Sequence, residues 1–221
     1  MYYTLTLIGL LIVILAQMLI SITYNKYKHK KNKQNLTGYD VAKLIIEANN
    51  LNVSIEETYG YLSDHYDPRS KTIRLSHEIY ANSSIAAASI AAHECGHAIQ
   101  DNNQNILLKL RSLLIPIVNL SSHLGYIAVM IGLLAGIAKL LIIGILLELI
   151  ILLFQILTLP IEIDASIKGL KQLKKLNVLN NKELNKGKKV LLAAAFTYIA
   201  SMLSSLLEII RLILIYRNSD N

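Results

Sequence analysis

The chain has 221 residues, of which 53% are hydrophobic and only 17% charged, with a formal net charge of +7. A soluble domain carries about 25% charged residues, and the apolar residues here are Leu, Ile and Ala in long blocks, which excludes a disordered chain. The single cysteine, Cys95, excludes a disulfide framework. The 22 Lys and Arg against 15 Asp and Glu either bind an anionic partner such as nucleic acid or report orientation in a membrane, and their distribution decides which.

Residues 4–23 are uncharged and apolar, long enough for one crossing of a bilayer core. No basic stretch precedes them and no A-x-A-like site follows, so the segment reads as an anchor rather than a cleaved signal. Lys26, Lys28, Lys30, Lys31 and Lys33 come next. Residues 34–112 form the one sizeable polar unit. Thr37 and Asp40 have the spacing of a capping box, and the helix that follows places Val41, Leu44, Ile45 and Ala48 on one face. Two strands are expected, at 52–62 and 71–76, with a turn in Asp64-His65-Tyr66-Asp67-Pro68-Arg69-Ser70 between them. Asn82, Ser83 or Ser84 caps the alanine-rich helix that begins at Ile85.

Residues 113–161 are apolar with only Lys139 and Glu148 charged, too long for one span, and are expected to form a helical hairpin turning near Gly136–Lys139. Lys168, Lys171, Lys174, Lys175, Lys182, Lys186, Lys188 and Lys189 follow. A fourth span occupies 190–215, where Glu208 and Arg211 lie three apart on one face and read as an ion pair near a helix end.

Thirteen of the 22 basic residues therefore sit in two short clusters that four spans place on the same side. Lysine and arginine beside spans mark the cytoplasmic face. Both termini are thus expected outside and the polar mass inside a multi-pass plasma-membrane protein. The lysines become markers of topology that also meet the lipid bilayer, and nucleic acid is not expected as a partner.

The alanine-rich helix contains His93-Glu94-Cys95-Gly96-His97. Histidines at i and i+4 project from one helix face and can reach one ion. Glu94 lies beside them as a general base, because zinc at such a site lowers the pKa of water from 15.7 to about 7. A catalytic zinc takes three protein ligands and keeps one position open. No histidine follows within ten residues, so the third ligand comes from elsewhere. Glu162, just past the third span and on the cytoplasmic side, is the acidic candidate, with Asp164 in competition two residues on. Cys95 points away from the histidine face and Gly96 allows close helix packing.

The stretches Ser63-Asp64-His65-Tyr66-Asp67-Pro68-Arg69-Ser70, His93-Glu94-Cys95-Gly96-His97-Ala98-Ile99-Gln100 and Leu159-Pro160-Ile161-Glu162-Ile163-Asp164-Ala165-Ser166 resemble the YugP-type membrane zinc metallopeptidases, over most of the chain. More remotely, the layout is similar to HtpX-like and prenyl-protein-processing gluzincins, whose second helix carries Glu-Phe-x-Ala-Asp. Glu162 and Ala165 match that pattern; Ile163 and Ser166 depart from it, though Ser166 can hydrogen-bond a ligand one turn from Glu162. The resemblance implies peptidase activity in the plasma membrane, with His93, His97 and Glu162 on Zn²⁺ and Glu94 as base and then acid.

The fold expected is a mainly α integral membrane protein of about four transmembrane helices with a small α+β zincin-like cytoplasmic metallopeptidase unit. Residues 1–24 form the first span, 25–112 the cytoplasmic unit, 113–161 the hairpin, 162–189 a basic cytoplasmic helical segment carrying the third ligand, and 190–221 the last span and tail. His65, Tyr66 and Tyr61 are candidate oxyanion donors, Asp164 and Ser166 candidate supports, and the edge of strand 71–76 a place for an extended peptide. The expected partner is a membrane-associated protein or peptide substrate. A zinc-binding membrane transporter and a non-catalytic zinc scaffold are the alternatives. The polar run Gln100–Asn105 directly after the motif argues against a transport helix.

Overall fold

The computed structural model describes residues 2–60 and 63–219. Its elements, in chain order, are α1 (Tyr2–Tyr27), α2 (Gly38–Ala48), β1 (Ser54–Thr58), β2 (His65–Asp67), β3 (Thr72–Ser76), α3 (His77–Tyr80), α4 (Ile85–Asn102), α5 (Ile106–Ala135), α6 (Ala138–Lys175) and α7 (Asn181–Ser219). Helices α1, α5, α6 and α7 are each long and apolar enough to cross a membrane. The chain divides into two compact units.

The first unit comprises the chain up to Met18, Lys109–Pro160 and the chain from Phe196. The α5–α6 hairpin turns at Gly136, whose φ of +66° is a conformation that glycine adopts without a Cβ penalty. Small residues let the two helices meet closely: a Cβ at Gly132 would lie 3.1 Å from the Leu141 backbone nitrogen. In α7, Arg211 Nε donates to Glu208 Oε2 at 2.9 Å, the intrahelical pair expected from their spacing.

The second unit comprises Leu19–Leu108 and Ile161–Ala195. Its core gathers Val41, Ala42 and Ile45 of α2, Ile73 and Leu75 of β3, the alanines of α4, and Leu173, Val178 and Val190. Each large aliphatic side chain buried there contributes about 1.5–3 kcal/mol. Thr37 and Asp40 form a complete capping box at the start of α2. The buried stripe of α2 is Gly38, Val41, Ala42 and Ile45, whereas Leu44 and Ala48 face outward. The expected face was rotated because Gly38 is itself a packing residue: a Cβ there would fall on the Ile79 carbonyl.

The sheet has three strands in the order β1-β3-β2. β1 runs parallel to β3 with Ser54 opposite Thr72, and β2 runs antiparallel to β3 with Tyr66 opposite Ile73. Two expectations change here. Part of the anticipated turn, His65–Asp67, is a strand, and the hairpin turn is the shorter Pro68–Lys71 that follows. Asp67 closes it, accepting from Arg69 N–H at 3.0 Å and from Ser70 Oγ at 2.8 Å. The 71–76 strand has no free edge, because β1 and β2 flank it; the open edges belong to β1 and β2.

Candidate metal centre

Ser84 caps α4 by accepting from Ala87 N–H at 3.0 Å. Ala86, Ala87, Ala88, Ala91 and Ala92 are all fully buried, so the small side chains let neighbouring elements approach the helix. The approach of α6 is close. A Cβ on Gly96 would fall on the Ala165 carbonyl, and one on Gly169 would lie 2.5 Å from the Ala92 carbonyl oxygen. Overpacking at such contacts costs about 1–3 kcal/mol. The crossing at Gly96 and Ala165 sets Glu162, one turn before Ala165, against the histidine face of α4.

There His93 Nε2 lies 3.2 Å and His97 Nε2 lies 3.5 Å from Glu162 Oε2. The two imidazoles stand edge to face with centroids 4.7 Å apart. One ligand atom from each of His93, His97 and Glu162 falls within 4.8 Å of the others. Ligand atoms about 2.0–2.1 Å from a tetrahedral zinc would be separated by roughly 3.3 Å, so the triad's spacing fits that ion. Two imidazoles and a carboxylate are also a donor set that zinc accepts.

The outer ring nitrogens are occupied. His93 Nδ1 is 3.0 Å from Ser166 Oγ, and His97 Nδ1 is 3.0 Å from Gln100 Oε1. Gln100 Oε1 can only accept, so that bond holds His97 with Nδ1–H outward and the Nε2 lone pair inward, and Ser166 Oγ fixes the orientation of the His93 ring. Gln100 is fully buried, and its Nε2 donates to Ile161 O at 2.9 Å and to Asp164 Oδ2 at 2.7 Å. It therefore fastens α4 to the segment of α6 that carries Glu162. Asp164 is outside the converging triad and pairs with Lys168 and Gln100. Sequence reasoning missed Gln100, although its position three after His97 puts both on one face.

Glu94 is 6% exposed, next to the triad. Burial pushes its carboxyl up to about 7; the charges of Glu162 and Asp64 add to this, while His93 and the Tyr66 amide oppose it. That amide belongs to β2, which brings the Tyr66 backbone near the Glu94 carboxylate. In an antiparallel pair backbone groups alternate between the partner strand and the outer edge, and β2 has β3 on one side only. The Tyr66 hydroxyl is turned elsewhere and donates to Asp101 Oδ2 at 2.6 Å. Burial first and this bond second push its pKa up, so it stays protonated. His65 is exposed, its Nδ1 2.8 Å from Ser63 O. Tyr61 lies outside the described residues. Cys95 is buried against the Ala42 carbonyl, and burial raises its thiol pKa, which disfavours the thiolate a metal would need. His29, His77 and His123 are exposed and outside the triad.

The chain belongs to the family described as "Putative neutral zinc metallopeptidase", whose profile matches residues 2–217. It is 37% identical over 204 residues to "Putative membrane protease YugP" of Bacillus subtilis (strain 168), an alignment that covers 92% of this chain and 91% of that protein. No solved structure matches it.

Proposed function

We propose that this chain is a zinc-dependent, gluzincin-type endopeptidase that hydrolyses peptide bonds of membrane-associated substrates at the cytoplasmic membrane surface. The observation that carries the reading is the convergence of His93, His97 and Glu162 with buried Glu94 beside them. His93, His97 and Glu162 would hold Zn²⁺. Zinc, when bound, supplies Lewis acidity that polarises a scissile carbonyl and acidifies water. Glu94 takes the proton of the attacking water on its carboxylate and delivers it to the leaving amine nitrogen as the C–N bond breaks. The open edge of β2 lies beside Glu94 and is assigned the extended substrate strand. Among the described residues, His65, exposed at the start of β2, is a candidate oxyanion donor; Tyr66 is not, because its hydroxyl is committed to Asp101.

In this reading residues 25–112 and 162–189 form the zincin-like cytoplasmic unit, and 1–24, 113–161 and 190–221 carry the spans. The lysine clusters support that orientation. Helix α4, 18 residues long, is not one of the candidate spans, which favours hydrolysis over the transporter alternative.

Metal removal tests the reading. The purified full chain in detergent is expected to hold one zinc per chain and to cleave members of a peptide library. A strong chelator abolishes cleavage and added zinc restores it; cleavage that survives complete zinc removal would contradict the mechanism. Gln100→Ala, which frees His97 Nδ1, is expected to weaken zinc binding by about 10–100-fold in competition with a chromophoric chelator.

A further inference from the structure

The two lysine clusters, far apart in sequence, join into one face of the second unit. Lys33 N–H donates to Glu183 Oε1 at 2.9 Å in the first turn of α7, and Gln34 Nε2 donates to Asn177 O at 3.3 Å, just past the end of α6. Lys31, Lys33, Lys174, Lys175 and Lys182 are exposed around these two links. Glu183, the one carboxylate between Lys168 and Lys189, has both oxygens committed to the backbone amides of Lys33 and Asn180. Among the described residues only Lys168 of the thirteen lysines has a carboxylate partner, Asp164. Lys26, Lys28 and Lys30 lie 5.5–5.9 Å from the Tyr27 or Tyr24 ring centroids, a contact that leaves the positive charge in place.

We propose that this face binds the anionic phospholipid headgroups of the membrane that α1, α6 and α7 enter. Charge complementarity is one argument: a dense cationic face with few carboxylate partners is complementary to an anionic surface. Its place in the chain is another. The clusters begin in the last turns of α1 and α6 and the first turns of α7, where apolar helix gives way to polar chain and headgroups lie. The residue type is a third. Every member is Lys and none is Arg, so the face presents compact, hydrated point charges suited to a diffuse anionic surface rather than to bidentate recognition of one fixed group. The inference does not depend on the peptidase reading, whose failure would leave the lipid preference intact.

The test uses the full chain in uncharged detergent, mixed with phosphatidylglycerol and phosphatidylcholine at equal mole fraction, with retained lipid counted by native mass spectrometry. The wild-type chain is expected to retain about tenfold more phosphatidylglycerol than phosphatidylcholine, with the preference shrinking at high salt. Replacing Lys31, Lys33, Lys174, Lys175 and Lys182 together by Gln brings the ratio to near parity. Replacing the same five by Arg, which keeps the charge, retains the preference and serves as the folded comparison if the Gln variant does not fold. Parity in the wild type, an unchanged ratio in a folded Gln variant, loss of the preference in the Arg variant, or stronger retention of a polyglutamate peptide than of phosphatidylglycerol would each overturn the proposal.

Discussion

Glu94→Gln is expected to leave zinc bound at one per chain while lowering kcat/KM for peptide cleavage by about 10²–10⁴-fold, the span attributed to one general acid–base group. The substitution is nearly isosteric, so a side chain that is 6% exposed keeps its packing. The amide keeps an acceptor oxygen, but the side chain can no longer take a proton from water. Zinc content measured beside steady-state kinetics on the same preparation separates this from unfolding. Unchanged cleavage would remove Glu94 from the mechanism, and lost zinc would mean that Glu94 holds the metal site together instead.

The second large effect is expected at Glu162. Glu162→Ala removes the carboxylate on which both imidazoles converge, at 3.2 and 3.5 Å. Zinc affinity should fall further than the 10–100-fold typical of losing a supporting hydrogen bond, and cleavage should fall with it. Asp164→Ala, by contrast, disturbs only the Gln100 and Lys168 contacts and should retain most of the zinc. Equilibrium dialysis of both variants against buffered zinc makes the comparison. Retention by Glu162→Ala together with loss by Asp164→Ala would exchange their assignments.

Much of this site was legible in the sequence because its signals are local. The i and i+4 histidines, the capping box at Thr37 and Asp40, and the Gly136 turn each depend on neighbours within one or two helical turns. Glu162 was legible only in part: its place at the end of an apolar block made it a candidate beside Asp164, and the resemblance to the peptidase family favoured it over that neighbour. What escaped depends on contacts between distant segments. Gln100 looks like an ordinary polar residue at the end of an alanine-rich helix until α6 brings Ile161 and Asp164 beside it. β2 has only three residues and carries Asp and His beside a proline, so its turn composition outweighs any strand pattern. Its pairing with β3, rather than its own propensity, makes it a strand. The rotated face of α2 has the same origin, since Gly38 reads as a cap until its approach to Ile79 is seen.

The central claim is that His93, His97 and Glu162 share one zinc with a position left open. X-ray absorption at the zinc edge of the full-length, zinc-loaded protein tests it most directly. The expected first shell is two imidazole nitrogens and carboxylate oxygen at about 2.0–2.1 Å with one further light atom from solvent, and Glu162→Ala should lose the carboxylate contribution. A sulfur scatterer at about 2.3 Å, a shell closed by four protein ligands, or a spectrum unchanged in zinc-loaded Glu162→Ala would contradict it.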